Sequence, residues 1–256
     1  MPHLPAGLAS RIERVEWTPA RVERLVRDMP KVESHLHLDG SLSPETVLRL
    51  AREQGHEPLA SLTLDEVRRR TVIDSPRPSL AEVLDAFGVV YPLLRDARAL
   101  DAVAFELTAA AARQNTRYLE VRFAPALQAA PGLGQEAVLD AVLRGLARGR
   151  RQFGVESAVI LCLIRPDALV GMADNRAALE LALARRGRDG VVAIDLAGDE
   201  AVGNVARARP AIGFRDGRAE EAERPHLGHD LAVEALLAEG GEDAGSKLLL
   251  RIGAGG

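Results

Sequence analysis

The chain has 256 residues, 47% hydrophobic and 27% charged, with a net charge of −4 and a pI near 5.9. That is enough apolar matter for a substantial core, while the acidic balance and 3% aromatic content give no support for a nucleic-acid surface, a stacking platform or an anionic membrane surface. No apolar run reaches the roughly 18 residues of a membrane span, and the lone cysteine, Cys162, allows no intrachain disulfide, which fits a reducing cytoplasm.

Residues 1–29 read as a polar leader and a helix, with no secretion signal at the N-terminus. In "TPARVERLVRDMP", Thr18 is the N-cap, Pro19 takes the first helical position, and Val22, Leu25 and Val26 share one face. "KVESHLHL" is the first strand. "SPETVLRLAREQG" is a helix capped by Ser43 and closed by Gly55. More helix follows over 62–70 and 79–114. "TRYLEVRFAP" is the second strand, and a helix over about 134–152 follows it. "ESAVILCLIRP" and "GVVAIDLAGDE" are continuous apolar runs, the pattern of strands buried on both faces, with the helix "NRAALELALARRG" between them. Strand and helix alternate four times, which predicts an α/β protein with a parallel sheet. Active sites of such folds lie beyond the carboxyl ends of the strands, which here carry HLHLDG and LAGDE.

After about Asn204 the chain becomes rich in Arg and Ala without a clear core stripe. "LAVEALLAEGG" reads as a helix, and "SKLLLRIGAGG" is an apolar run ending in glycines. Residues 201–256 are therefore a divergent C-terminal segment of a single 1–256 domain.

His35 and His37 are two residues apart on a strand and project to the same face, with Leu36 and Leu38 opposite. Two imidazoles side by side can ligate one zinc ion; the same pair can also make ordinary hydrogen bonds at a strand mouth. Gly40 lets the backbone turn into the next helix. Cys162, between Leu161 and Leu163, reads as plain core. Asp199 and Glu200 face opposite ways on a strand, which disfavours a shared acid/base role. His226 and His229 in "PHLGHD" read as a polar turn ahead of an Asp230 N-cap, with replacement metal ligands as the sharper alternative.

"MPKVESHLHLDGSLSPETVLRLA", "SLAEVLDAF", "RYLEVRFAP" and "GVVAIDLAGDE" together resemble the adenosine deaminase family over roughly Met29 to Glu200. The resemblance implies a (β/α)8 TIM-type barrel, here incomplete, with the first four to five βα units present. It implies zinc held by His35 and His37, with His37 and Asp39 also at the substrate and Asp39 on a ribose hydroxyl. It further implies a purine ring against the backbone N–H of Gly198. The implied reaction is hydrolytic deamination at C6 of adenosine or a related aminopurine, giving inosine and ammonia from adenosine, with a small purine nucleoside as the partner.

The pattern departs from the family in the C-terminal segment. "EGGEDAG" is similar to the family's His-Ala-Gly-Glu motif, with Glu239 in the place of the third zinc histidine and Glu242 in the catalytic place. "RIGAG" is similar to Arg-Ile-Gly-His-Gly with Ala254 for the histidine, and the later Asp-Asp pair is absent. Later strands begin near 117, 157 and 191, and only 56 residues follow Glu200. Four further units of a closed barrel would need about 140 residues, so an open edge beside the fourth strand is expected. These features raise an alternative expectation: a truncated, frameshifted or decayed deaminase homologue without independent activity, or an assembled fragment.

Overall fold

The computed structural model describes residues 16–165, 169–187, 190–198, 233–236 and 249–252. The first helix, α1 (Pro19–Asp28), starts as its sequence predicts: Thr18 Oγ1 accepts from the Arg21 N–H at 3.3 Å. Its apolar residues Val22, Leu25 and Val26 are all exposed among the described residues. Strand β1 (Lys31–His37) follows directly. α2 (Pro44–Gln54) has the expected Ser43 cap and ends on Gly55 at φ 64°, the left-handed conformation that closes a helix.

Two short helices, α3 (Glu57–Ala60) and α4 (Leu64–Thr71), and then α5 (Leu80–Val90) complete the long excursion between the first two strands. The helix expected over 79–114 is present in two pieces. A 3-10 turn over Tyr91–Leu94, with Pro92 at its start, separates α5 from α6 (Ala97–Arg113). Asp96 restarts the helix by accepting from the N–H groups of Arg98 and Ala99.

Strands β2 (Thr116–Phe123), β3 (Glu156–Ile164) and β4 (Val191–Ala197) lie in chain order beside β1, all parallel. The crossovers are α6 into β2, α7 (Pro125–Gln128) with α8 (Gln135–Phe153) into β3, and α9 (Met172–Ala184) into β4. Leu119, Val121, Val159 and Leu161 are fully buried in the core cluster that also contains α6 and α8 residues such as Leu100 and Leu139. The expected α/β architecture is therefore observed: four consecutive parallel units of the TIM-barrel type. Among the described residues no helix is long and apolar enough to cross a membrane.

Two expectations need correction. "LAVEALLAEGG" contains a strand, β5 (Val233–Leu236), where a helix was expected. β5 pairs antiparallel with β6 (Leu249–Ile252), so sheet pairing overrides the helix preference of Ala, Leu and Glu. The edge beside β4 is likewise not open: β6 pairs with it antiparallel, through Ala193–Arg251 to Asp195–Leu249, and gives its backbone groups partners.

Helices α6 and α8 approach closely because α8 presents Gly145 and Gly149. A Cβ at Gly145 would stand 2.2 Å from the Asp101 carbonyl oxygen, and one at Gly149 2.5 Å from Thr108 Cβ. Backbone cannot yield as a side-chain tip can. Gly145→Val is accordingly expected to lower stability by about 3 kcal/mol or more, read as a reduced urea midpoint. An unchanged midpoint would mean that the two helices separate freely.

Candidate active site

The carboxyl ends of β1 to β4 surround a cleft of about 370 Å³, lined in part by His37, Asp39, Phe87, Tyr91, Phe123 and Gly198. The His35 and His37 rings stand side by side, centroids 5.4 Å apart and tilted by 39°. Leu36 and Leu38 pack into the core on the other side, as the strand alternation predicts. His35 is exposed, whereas His37 is half-buried and forms part of the cleft wall. Phe87 from α5 meets His37 edge-on at 6.0 Å.

Beyond β1 the chain turns sharply, and Ser41 Oγ donates to the His37 carbonyl. A Cβ at Gly40 would lie 3.1 Å from the Phe87 ring, so a larger residue there would require that ring to give way. The turn buries Asp39 to 6% exposure. Asp39 Oδ1 has no hydrogen-bond partner among the described residues, and the nearest cationic candidate, His37 Nδ1, is 4.0 Å away. Burial raises the Asp39 pKa from 3.8 to about 6, opposed by the backbone N–H groups of Asp39 and Gly40. A buried carboxylate with an unused oxygen at a cleft wall is set to receive a donor from a ligand.

Across the cleft, Gly198 ends β4 at φ 104°, a conformation that favours glycine. A Cβ there would lie 3.4 Å from the Arg165 backbone nitrogen. His37, Asp39 and Gly198 thus converge on one cavity with His35 beside it. Glu242, Glu239, Ala254, Asp199, Glu200, His226 and His229 lie outside the described residues. Cys162 is buried and its thiol pKa is pushed up, chiefly by desolvation. It also lines the cleft, which its place between two core leucines did not reveal.

Sequence reasoning missed three further features. Arg122 and Asp195 form a buried ion pair at 2.7 Å. The burial of Asp39 itself was not foreseen. Nor was the cleft wall that α5 supplies through Phe87, with Tyr91 just beyond it. A charged residue inside each of the otherwise apolar runs "VRF" and "AIDLA" was the available signal for the ion pair, because a charge in a buried strand needs a partner.

The donor chemistry suits zinc. Two neighbouring imidazoles are borderline-soft nitrogen ligands, with a buried, under-satisfied carboxylate next to them. Among the described residues no group of three or more His, Cys, Asp or Glu side chains is placed to hold a metal ion. A complete ligand set would therefore need donors from outside them.

Residues 30–229 match the family model described as adenosine deaminase. The chain belongs to the adenosine deaminase family. It is 38% identical over 176 residues to the adenosine deaminase of Vibrio vulnificus (strain CMCP6), covering 69% of this chain and 52% of that protein. It is 36% identical over 182 residues to the adenosine deaminase of Clostridium perfringens (strain 13 / Type A), covering 70% and 52%. Among solved structures it is similar to the Arabidopsis N6-mAMP deaminase, with a TM-score of 0.59 and 27% identity over 74% of this chain and 56% of that one. This adenosine deaminase family member spans about half the length of the curated relatives it matches.

Proposed function

We propose that this chain, as a single domain, binds a purine nucleoside in the β1–β4 cleft beside zinc and hydrolyses its 6-amino group. Adenosine and water would give inosine and ammonia. The observation that carries this reading is the convergence of His37, Asp39 and Gly198 on one cavity, next to His35, in a chain of this family.

His35 and His37 would hold the zinc. When bound, the metal supplies Lewis acidity that brings the pKa of water toward 7. The remaining work falls to protein groups. Asp39 accepts a ribose hydroxyl on its unused Oδ1 and thereby orients the base. The backbone N–H of Gly198 donates to the purine ring, and the lack of a Cβ allows the close approach. Phe87, Tyr91 and Phe123 supply apolar walls that displace water from the ring. Glu242 is the proposed general acid and base, delivering a proton to the ring nitrogen beside C6. The free, buried thiol of Cys162 is consistent with a reducing, cytoplasmic setting.

A second reading is a homologue without turnover. It is favoured by Glu239 and Ala254, which occupy the positions similar to two family histidines. Adenosine deamination by the purified chain, with added zinc and with a chelator control, separates the two. Zinc-dependent formation of inosine supports the enzyme. Folded, zinc-loaded protein that makes no inosine leaves the second reading.

A further inference from the structure

Strand β1 does not run in simple register with β2. From Lys31 to Val32 one step along β1 spans two along β2, and from Glu33 to Leu36 three steps along β1 match two along β2, so the second shift cancels the first. The extra residue is a β-bulge at Ser34 and His35. Because strand side chains alternate in facing, a one-residue insertion inverts the facing beyond it, and here it reverses the change made by the shift between Lys31 and Val32. The bulge therefore returns His37 to the sheet face that carries Arg122, its register partner, with the His35 ring beside it.

Two side chains secure the irregular backbone. Glu33 Oε1 accepts from the His35 N–H at 2.9 Å. Arg122 donates through Nη2 to the Ser34 carbonyl at 3.2 Å and through Nη1 to Asp195 Oδ2 at 2.7 Å. Arg122 and Asp195 are both buried, so the guanidinium ties β4 to the bulge of β1 across the interior of the sheet. We infer that Glu33, Arg122 and Asp195 are positioning residues that hold the β1 bulge and thereby aim His35 and His37 together at the cleft mouth. The consequence for metal binding rests on the zinc reading above; the consequence for the strand does not.

The test uses the metal-free chain first. Glu33→Ala removes one clamp at a partly exposed site. Arg122→Lys keeps the buried charge, but its single ammonium cannot reproduce the planar two-armed grip. Amide hydrogen exchange at His35 and the imidazole NMR signals of His35 and His37 are followed, with thermal unfolding as the check on the fold. Arg49→Lys, at the exposed pair with Glu106, is the control.

Glu33→Ala is expected to speed exchange at His35 about tenfold or more, and both variants shift the two ring signals while the control does not. Zinc affinity then falls at least about tenfold in the same variants. If both variants fold with wild-type exchange and ring signals, the inference is wrong. If Arg122→Lys does not fold, Glu33→Ala decides alone. If the wild-type chain binds no zinc, the zinc reading fails, and the exchange and ring signals still decide this one.

Discussion

Asp39→Asn is expected to stabilise the metal-free chain at pH 8 and to weaken its binding of a purine nucleoside. Burial holds the Asp39 carboxyl at about 6 instead of 3.8, so the folded chain binds this proton more tightly than the unfolded chain. Below about pH 4 the carboxyl is protonated in both states, and the wild-type and variant chains are alike in this respect. Between about pH 4 and 6 the unfolded chain loses the proton first, and wild-type stability falls as pH rises. Above about pH 6 both states are ionised and the full penalty remains, on the order of 3 kcal/mol. The neutral, nearly isosteric amide escapes it. Urea unfolding at about pH 4 and pH 8 is therefore expected to show a gap between the two chains at the higher pH only.

The functional effect has the opposite sign. Losing a charged acceptor for a ribose hydroxyl is expected to weaken nucleoside binding by about tenfold or more. Gain of stability with loss of affinity marks a residue retained for binding at a cost in stability. An Asp39→Asn chain with wild-type stability at both pH values would show that burial does not govern this carboxyl.

The second large effect concerns the histidine pair. His35→Ala and His37→Ala are each expected to reduce zinc affinity, and any deaminase turnover, by at least about a hundredfold. That lies at or beyond the upper end for losing the partners that merely support metal ligands. Stability of the metal-free chain is expected to change little for His35, which is exposed, with a shift within about 0.5 kcal/mol. His37 packs against Phe87 and is expected to cost somewhat more. A metal titration of each purified variant measures the first effect, and thermal unfolding the second. Unaltered zinc affinity in both variants would remove the pair from the metal site.

The four parallel strands were legible in the sequence because each has a strong local signature. "ESAVILCLI" and "VVAIDLA" are apolar runs, and most of their residues are buried, as strands covered on both faces require. The capped helix starts at Thr18 and Ser43 were equally local, and the expected side chains form them. The same-face placement of His35 and His37 followed from strand alternation alone. The bulge that selects that face did not. It depends on Arg122, 88 residues along the chain from Ser34, and on Asp195 beyond it. No local pattern links residues so far apart.

Asp39 illustrates the same limit. The sequence placed it at the cleft mouth, but its burial belongs to a turn whose Gly40 lies against Phe87 of α5, a contact distant in sequence. The segment over 231–241 misled for a related reason. Its composition favours a helix, while the antiparallel pairing of β5 with β6 is a tertiary event that no local window contains.

The most direct measurement is the zinc content of the purified 256-residue chain beside a His35→Ala/His37→Ala double variant, by native mass spectrometry after equilibration with zinc. Stoichiometric zinc on the wild-type chain, lost with both histidines replaced, is the expected result. Equal zinc on the two proteins, or none on folded wild-type chain, would contradict the assignment of the β1 histidines to a metal centre.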